Sequence, residues 1–389
     1  MEYVATSSSG EVIASWRDPK RYLWLTGLVM PALPFLAWGL ASWTGWEAFY
    51  YLGPLMLFVV VPVIDLVAGL DKENPPEEVL AALQADRYYR WLTYAFIPVQ
   101  YAALLLGAYL WVDGGLSWFG RIGLALSVGM VSGLGINAAH ELGHKRETLE
   151  RWLSKVALAP SGYGHFYVEH NRGHHTRVST PEDPASARFG ESFYRFVPRT
   201  VLGSLRHAWG LEQPRFRRRG KSVWSIRNDV LNAWLLTAVL WLAVIFVLGF
   251  AVIPYLVIQA AVGILLLELV NYIEHYGLLR ERVNGGRYEK VAPRHSWNSN
   301  NVATNVILYH LQRHSDHHAN PTVRYQALRD FAEAPVMPTG YAGMITLALC
   351  PPLWFRVMDP RVAAHYEGDL SRANAMVGVA QRDQNNQVR

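Results

Sequence analysis

The sequence predicts an all-α integral membrane protein with six transmembrane helices and a histidine-rich helical cap on the cytoplasmic side. Three observations predict it: 51% of the residues are hydrophobic, charge-free runs recur along the chain, and most of the 14 histidines lie at helical spacing. A hydrocarbon core about 30 Å thick needs about 20 apolar residues in a helix, which is the length of these runs.

Four charge-free runs precede the first histidine cluster, and the last of them ends directly before it. They lie at 22–42, 48–64, 91–112 and 122–139. A fifth run covers 38 residues, 230–267, and as one helix would be about 57 Å long, nearly twice the hydrocarbon core. Gly249 and Pro254 mark a break in it, so it predicts two spans and a total of six. The apolar stretch 334–355 is interrupted by prolines and is interpreted as interfacial or re-entrant.

Loop charges orient these spans, because Lys and Arg concentrate in the loops that stay in the cytoplasm. The loops on one side hold Arg17, Lys20, Arg21, Lys72, Arg87, Arg90, Lys145 and Arg146. The opposite loops contribute only Arg121. We therefore expect both termini on the cytoplasmic side. The net charge of +5 is a topology signal, since no nucleic-acid motif accompanies it.

The spans divide the chain into six expected segments. In order, they are a cytoplasmic N-terminal segment (1–21), transmembrane helices one to four (22–140), a cytoplasmic cap with the second histidine cluster (141–229), transmembrane helices five and six (230–275), a cytoplasmic cap with the third cluster (276–377), and a polar tail or linker (378–389). No small-residue cleavage site follows the first span, so we do not expect a removed signal peptide.

Four histidine clusters, HELGH, EHNRGHH, NYIEHYG and HSDHH, lie at the ends of spans or just beyond them. Imidazoles at i, i+3 and i+4 share a helix face, so three such helices form a shell of nitrogen donors. The nine candidate metal ligands are His140, His144, His170, His174, His175, His275, His314, His317 and His318. One tetrahedral zinc site uses at most four ligands, so the number predicts two metal ions. Imidazole suits iron, zinc, copper and nickel alike, so the ligands do not choose the metal.

Several acids adjoin these histidines and are expected to accept hydrogen bonds from ligating imidazoles. The four acids next to a candidate ligand are Glu141, Glu169, Glu274 and Asp316. Asp183 follows the second cluster and is an equally open case between this role and a surface charge. His310 lies one turn before the third cluster and is either a tenth ligand or an outer donor, and His295 is left open. Three isolated histidines are interpreted as structural: His165, His207 and His365.

The fourth span predicts a substrate channel. Gly133, Ile136 and Asn137 lie seven, four and three residues before His140, so they share its helical face. Leu134 is a weaker candidate for the same lining. A narrow apolar passage from the bilayer to the metals indicates a lipid-soluble substrate.

Electrons for any redox chemistry must come from another protein. Cys350 is the single cysteine, which excludes disulfides and a thiolate-held iron–sulfur cluster within this chain. The sequence also has no glycine pattern typical of nucleotide binding. The basic run 214–221 is interpreted as attraction to anionic headgroups, with docking of an acidic electron donor as the alternative.

The segments HELGHK, EHNRGHH, NYIEHYGL and LQRHSDHHA resemble the motifs of the integral-membrane alkane hydroxylases, also called alkane 1-monooxygenases, in that family's order. This family lies within the membrane fatty-acid desaturase and hydroxylase superfamily. The resemblance implies a non-haem diiron centre of two Fe ions held by the same nine histidines, with O2 as co-substrate. It implies hydroxylation of the terminal methyl of medium- to long-chain n-alkanes to primary alcohols, in the bacterial cytoplasmic (inner) membrane. Its implied electron donor is rubredoxin, separate or fused beyond the C-terminus, served by a flavin reductase.

Three other classes remain open at this point. A membrane fatty-acyl desaturase or a hydroxylase of another lipid shares the histidine pattern. HELGH also occurs in zinc metalloproteases, where Glu141 would be the general base, but this leaves at least five histidines without a role. A metal transporter would carry its ligands near the bilayer midplane, whereas these cluster at one boundary.

Overall fold

The computed structural model describes residues 1–283 and 285–376, so the predicted tail 378–389 lies outside the described residues. A short antiparallel hairpin, β1 (Tyr3–Thr6) and β2 (Val12–Trp16), begins the chain. The helices that follow are α1 (Leu23–Thr44), α2 (Glu47–Ala68), α3 (Leu80–Ala85), α4 (Arg87–Asp113), α5 (Trp118–Gly143), α6 (Thr148–Leu158), α7 (166–177), α8 (Phe193–Arg217), α9 (Asp229–Leu248), α10 (Phe250–His275), α11 (Val302–Ile307), α12 (His314–Ala319), α13 (Tyr341–Ala348) and α14 (Pro351–His365).

The six predicted membrane spans are confirmed as α1, α2, α4, α5, α9 and α10. The predicted break in the long apolar run is also confirmed. Gly249 ends α9 with a φ of 76°, a conformation that residues with a Cβ rarely adopt. Pro254 follows the short 3-10 turn that begins α10, at the start of the α-helical part. The chain is therefore a mostly helical integral membrane protein that carries histidine clusters at its helix ends, with one short N-terminal hairpin that the sequence did not predict.

Helix α5 lies at the centre of the bundle. In its apolar 18-residue stretch 83% of the residues are buried, against 22% in the corresponding stretches of α2 and α9. Glycines permit this close packing, because a methyl group on Gly129 would lie 2.5 Å from the Cβ of Val262 in α10. One on Gly263 would lie 3.1 Å from the backbone nitrogen of Gly133. Glycine at these positions brings α5 and α10 together, and with them the histidines at their ends.

Helix α6 turns back and runs beside the spans, which the sequence did not predict. The Ser154 hydroxyl donates to the Ala139 carbonyl at 2.6 Å, and the Tyr101 hydroxyl donates to the Val156 carbonyl at 2.8 Å. The predicted re-entrant stretch 334–355 forms α13 and the start of α14. Tyr341 of α13 is fully buried, because this helix packs against α2 and α10.

Buried polar contacts hold the third histidine cluster over the ends of the spans. Asp65 of α2 accepts hydrogen bonds from the backbone nitrogen of Thr304, at 2.9 Å, and from its hydroxyl. Arg313 is fully buried beside α12 and donates to the carbonyls of Leu328, Asp71 and Glu73 at 2.7, 3.2 and 3.0 Å. These contacts fix the segment before α12 relative to the membrane helices.

Candidate metal centre

Four helices deliver the nine predicted histidines to one place. His140 lies in the last turn of α5, with His144 directly after it, and His275 is the last residue of α10. Helix α7 carries the three histidines of the second cluster, and α12 carries the three of the third. Because the carboxyl ends of α5 and α10 lie on the same side, sequence positions more than 130 apart meet.

The nine side chains form two groups, each with nitrogens that lie within 4.8 Å of one another. The first group contains five residues: His140, His144, His170, His175 and His317. The second contains four: His174, His275, His314 and His318. The sequence predicted two ions but not this division.

A π turn over Glu169–His174 divides the second cluster between the two groups. In a regular α-helix His170 would lie over His174, four residues on. The π turn bonds i to i+5 instead, with the His175 nitrogen donating to the His170 carbonyl. The Nε2 atoms of His170 and His175 are thereby 3.1 Å apart, and His174 faces the second group.

The donor set fits metal ions. In the second group, the Nε2 of His314 lies 3.1 Å from that of His275 and 2.9 Å from that of His318. The Nε2 atoms of His140, His144 and His174 are buried and have no hydrogen-bond partner among the described residues. A buried polar atom without a partner costs about 1–3 kcal/mol, which coordination would recover. Five histidines in one group also exceed a tetrahedral zinc site.

Burial keeps the cap histidines in the form that binds metal. It lowers the pKa of six of them far below the ordinary value, with neighbouring imidazoles adding to the effect: His144, His170, His175, His314, His317 and His318. A neutral imidazole offers a free nitrogen lone pair, so these side chains bind a cation without first losing a proton.

An apolar cavity between the spans ends at both groups of histidines. Gly133, Leu134 and Asn137 of α5 line it, and it reaches His140 and His314. The remaining wall comes from α1, α2, α10, α11 and α13, and includes Met30, Leu57, Val61, Leu266, Val270, Thr304 and Ile345. Ile136, the fourth predicted lining residue, instead packs in a separate apolar cluster with residues of α6 and α7. Ile136 is therefore not among the residues that line this cavity.

Comparison with known proteins identifies the family. Residues 116–348 match the model of the fatty acid desaturase family. An alkane 1-monooxygenase of Pseudomonas putida is 49% identical over 356 residues, 91% of this chain and 88% of the relative. One from Alcanivorax borkumensis is 49% identical over 363 residues, 93% and 90% of the two chains, and one from Acinetobacter baylyi is 48% identical over 365 residues, 92% and 88%. The chain belongs to the alkane 1-monooxygenase family. It is an oxidoreductase, and the resemblance of its histidine motifs to that family is confirmed.

Two of the four predicted acids lie beside histidines in this member of the alkane 1-monooxygenase family. The Oε2 of Glu274 is 3.2 Å from the Nε2 of His314, and its Oε1 is buried with no partner among the described residues. Glu274 also lines the cavity. Glu169 accepts a hydrogen bond from His207 at 3.2 Å, and burial raises the pKa of Glu169 to about 8.

The other two acids bond to groups other than histidines. Glu141 forms an ion pair with Lys145 at 3.0 Å and accepts from the backbone nitrogen of Tyr325. Asp316 accepts from the backbone nitrogen of Arg329 and the amide of Asn320, both at 2.8 Å. Each follows a histidine by one or two residues, so the helix turns it to another face, where it joins the cap segments together.

Asp183 is the acid that bonds directly to the centre. It lies 2.9 Å from the Nδ1 of His174, and the Ser186 hydroxyl and the Ala185 nitrogen hold its carboxylate at 2.6 and 3.1 Å. Burial favours the neutral acid, but the charge and hydrogen bond of His174 hold the pKa of Asp183 below its ordinary value. Its place in the PEDP turn after the second cluster was the only sequence signal for it.

Backbone carbonyls accept hydrogen bonds from one histidine of the centre and from one histidine outside it, and no sequence motif predicts such contacts. His275 Nδ1 lies 3.2 Å from the His295 carbonyl, and His310 Nδ1 lies 2.8 Å from the Tyr325 carbonyl. Neither His295 nor His310 belongs to the two groups. His310 contacts Asp71 at 3.5 Å instead and forms part of the buried network around Arg313.

Proposed function

We propose that this protein is a diiron monooxygenase that hydroxylates the terminal methyl of medium- to long-chain n-alkanes to primary alcohols. One observation carries the proposal: two groups of histidines, five and four in number, lie at the inner end of an apolar cavity between membrane helices. Each group would hold one Fe ion. The relatives named alkane 1-monooxygenase support the substrate class.

When bound, the two irons would supply the oxidising power that an unactivated C–H bond requires, using O2. With two electrons and two protons, one oxygen atom enters the alcohol and the other leaves as water. The chain's own residues provide the surroundings for this step. Leu134, Leu266 and Val270 exclude water from the cavity, which prevents unproductive consumption of electrons.

The cavity also accounts for a preference for the chain end. Gly133 leaves a narrow passage beside Leu266, since a methyl group there would lie 2.8 Å from the Cδ2 of Leu266. An alkane that enters lengthwise presents its methyl group to His140 and His314 first. Selectivity for the terminal carbon is then steric, a matter of positioning rather than of bond strength.

The single cysteine and the lack of a nucleotide-binding pattern favour an external electron donor. We propose rubredoxin, served by a flavin reductase, because the resemblance to the alkane 1-monooxygenases implies it. The basic loops support a bacterial inner membrane protein whose histidine side faces the cytoplasm. We also propose that 141–229 and 276–377 form the cytoplasmic cap, with 1–21 as the N-terminal segment on the same side. Residues 378–389, which lie outside the described residues, are proposed to be a polar tail or linker.

The deciding experiment is metal analysis of anaerobically purified protein, followed by turnover of n-alkanes of graded length with reduced rubredoxin. We expect about two irons per chain and primary alcohols as products. About one zinc with peptide cleavage would replace the proposal with a metalloprotease. Products that contain a new double bond would assign a desaturase, and metal flux without product would assign a transporter.

A further inference from the structure

A positively charged cleft lies on the histidine side of the membrane, outside the metal centre. It is formed by α6, the π turn of α7, the end of α8 and the start of α9. Five cationic side chains line it: Arg151, Lys155, Arg172, Arg215 and Arg227.

The cations outnumber the acids that face them. Lys155 contacts Asp229 at 2.7 Å, Arg172 contacts Glu212 and Asp229 at 2.6 and 2.5 Å, and Arg215 contacts the same two acids at 2.6 and 2.8 Å. The two carboxylates contact three of the five cations, and the five positive charges of the cleft exceed the two negative charges by three.

Two of these cations are free to meet a ligand. Arg151 and Arg227 are exposed and form no ion pair within residues 1–283 and 285–376. Among the described residues, the Arg151 side chain hydrogen-bonds only to the hydroxyl of Thr148, in the preceding turn, at 3.3 Å. A cleft that holds uncompensated arginines favours a ligand with at least one negative charge.

Apolar side chains around the cleft indicate what carries that charge. Trp152 and Ile226 line the cleft and are 46% and 69% exposed, and Leu149 beside them is 61% exposed. Span α9 begins at Asp229 within the cleft, and Val239 on its outer face is 60% exposed. Tryptophan beside cations is typical of the boundary between headgroups and acyl chains. A soluble anion would need the arginines but not this apolar border.

We propose that the cleft binds the phosphate group of an anionic phospholipid, with its acyl chains against the outer face of α9. Arginine suits this role because its planar guanidinium forms two parallel hydrogen bonds to phosphate oxygens. The headgroup contacts Arg151 and Arg227 and approaches the exposed part of Arg172.

The site is joined to the metal centre through Arg172. This residue lies in the π turn between His170 and His174, and its side chain is 37% exposed. Its two terminal nitrogens are held by Glu212 and Asp229. A bound headgroup therefore adds a third contact to Arg172, in the turn that separates the two histidine groups. Through this contact, the lipid composition of the membrane affects the metal centre.

The test compares wild type with Arg151→Gln/Arg227→Gln, and with Arg218→Gln/Arg219→Gln as the matched control. The control also removes two exposed arginines from the same side but leaves the cleft intact. Each protein is placed in nanodiscs of phosphatidylcholine with about one fifth phosphatidylglycerol, and the phosphatidylglycerol retained after release into detergent is counted by native mass spectrometry.

We expect wild type and control to retain phosphatidylglycerol and the cleft variant to bind it about tenfold more weakly or worse. Equal retention by the cleft variant would overturn the proposal, as would equal loss in the control, which would indicate surface charge alone. Thermal protection by inorganic phosphate without lipid retention would assign a free phosphate ion instead. Binding of an acidic polypeptide such as polyglutamate, with no lipid retained, would assign a protein contact. None of these outcomes depends on alkane turnover, so the experiment tests the lipid site independently of the proposed function.

Discussion

At the scale of single residues, the hydrogen bond that His174 Nδ1 donates to Asp183 is the clearest support for a metal-binding imidazole. Asp183→Asn keeps the shape but removes the charge that orients His174 and strengthens its donation. We expect metal affinity at the four-histidine group to fall about 10- to 100-fold. Iron per chain, measured after dialysis against a chelator, checks this.

Asp316→Asn is the control for that measurement, because the carboxylate of Asp316 bonds to Arg329 and Asn320 rather than to a histidine. Iron retention in the control should match wild type. Equal iron loss in both variants would mean that the effect comes from general loss of charge near the centre.

Glu274 lies at the boundary between the metal centre and the cavity, 3.2 Å from His314. Glu274→Gln preserves its volume, so we expect the midpoint of thermal unfolding to stay near that of wild type. Alkane turnover should fall about 10- to 100-fold, because the neutral amide no longer offsets the charge of the ions. Unchanged turnover in correctly folded protein with full iron content would remove this role from Glu274.

At the scale of elements, α5 sets the width of the cavity. Gly133→Ala places a methyl group 2.8 Å from the Cδ2 of Leu266 and 3.2 Å from the Gly263 carbonyl, which narrows the passage. We expect preference to shift toward shorter alkanes, whereas Leu134→Ala should widen the cavity and favour longer ones. Alcohol yields from a mixed series of alkanes, analysed by gas chromatography, measure both shifts.

Gly39→Ala is the matched control, because nothing lies within 4 Å of a methyl group at that position of α1. Its product profile should equal that of wild type. If neither cavity variant changes the profile relative to Gly39→Ala, the alkane takes another path to the metals.

The segment before α12 depends on the fully buried Arg313, whose guanidinium reaches three backbone carbonyls. Arg313→Lys replaces the planar guanidinium group with a single ammonium group, which leaves some of these carbonyls without a hydrogen-bond donor. We expect a loss of about 1–3 kcal/mol in the free energy of unfolding. Lower iron occupancy should accompany it, since His314 is the next residue.

Thermal unfolding in detergent and iron analysis test this prediction together. Arg361→Lys is the control, because Arg361 also donates to a carbonyl, that of Val357, but is exposed. A destabilisation of similar size in both variants would show that burial of Arg313 has no special effect.

At the scale of the whole molecule, the sequence predicted what depends on periodicity and composition. Six spans, the break at Gly249 and the presence of His140 and His275 at the same end of the bundle follow from hydropathy and from helix direction. The division of the histidines did not follow, because it depends on the π turn of Glu169–His174, and a single sequence carries no reliable signal for an i to i+5 bond. The course of α6 was missed for a related reason: its contacts with α4 and α5 are tertiary and leave no local pattern.

The loop charges, rather than the fold, predict the orientation of the protein in the membrane. Cys350 is exposed and is the single cysteine, so Cys350→Ser gives a cysteine-free background. Trp46→Cys places a thiol in the link between α1 and α2, where Trp46 is 70% exposed, and Arg218→Cys places one on the histidine side. Lys and Arg concentrate in the loops on the histidine side, so that side is expected to face the cytoplasm. An impermeant maleimide should therefore label the Trp46 position in intact spheroplasts and the Arg218 position only in inverted vesicles. The reverse pattern would put the histidines on the periplasmic side, where rubredoxin in the cytoplasm has no access to them.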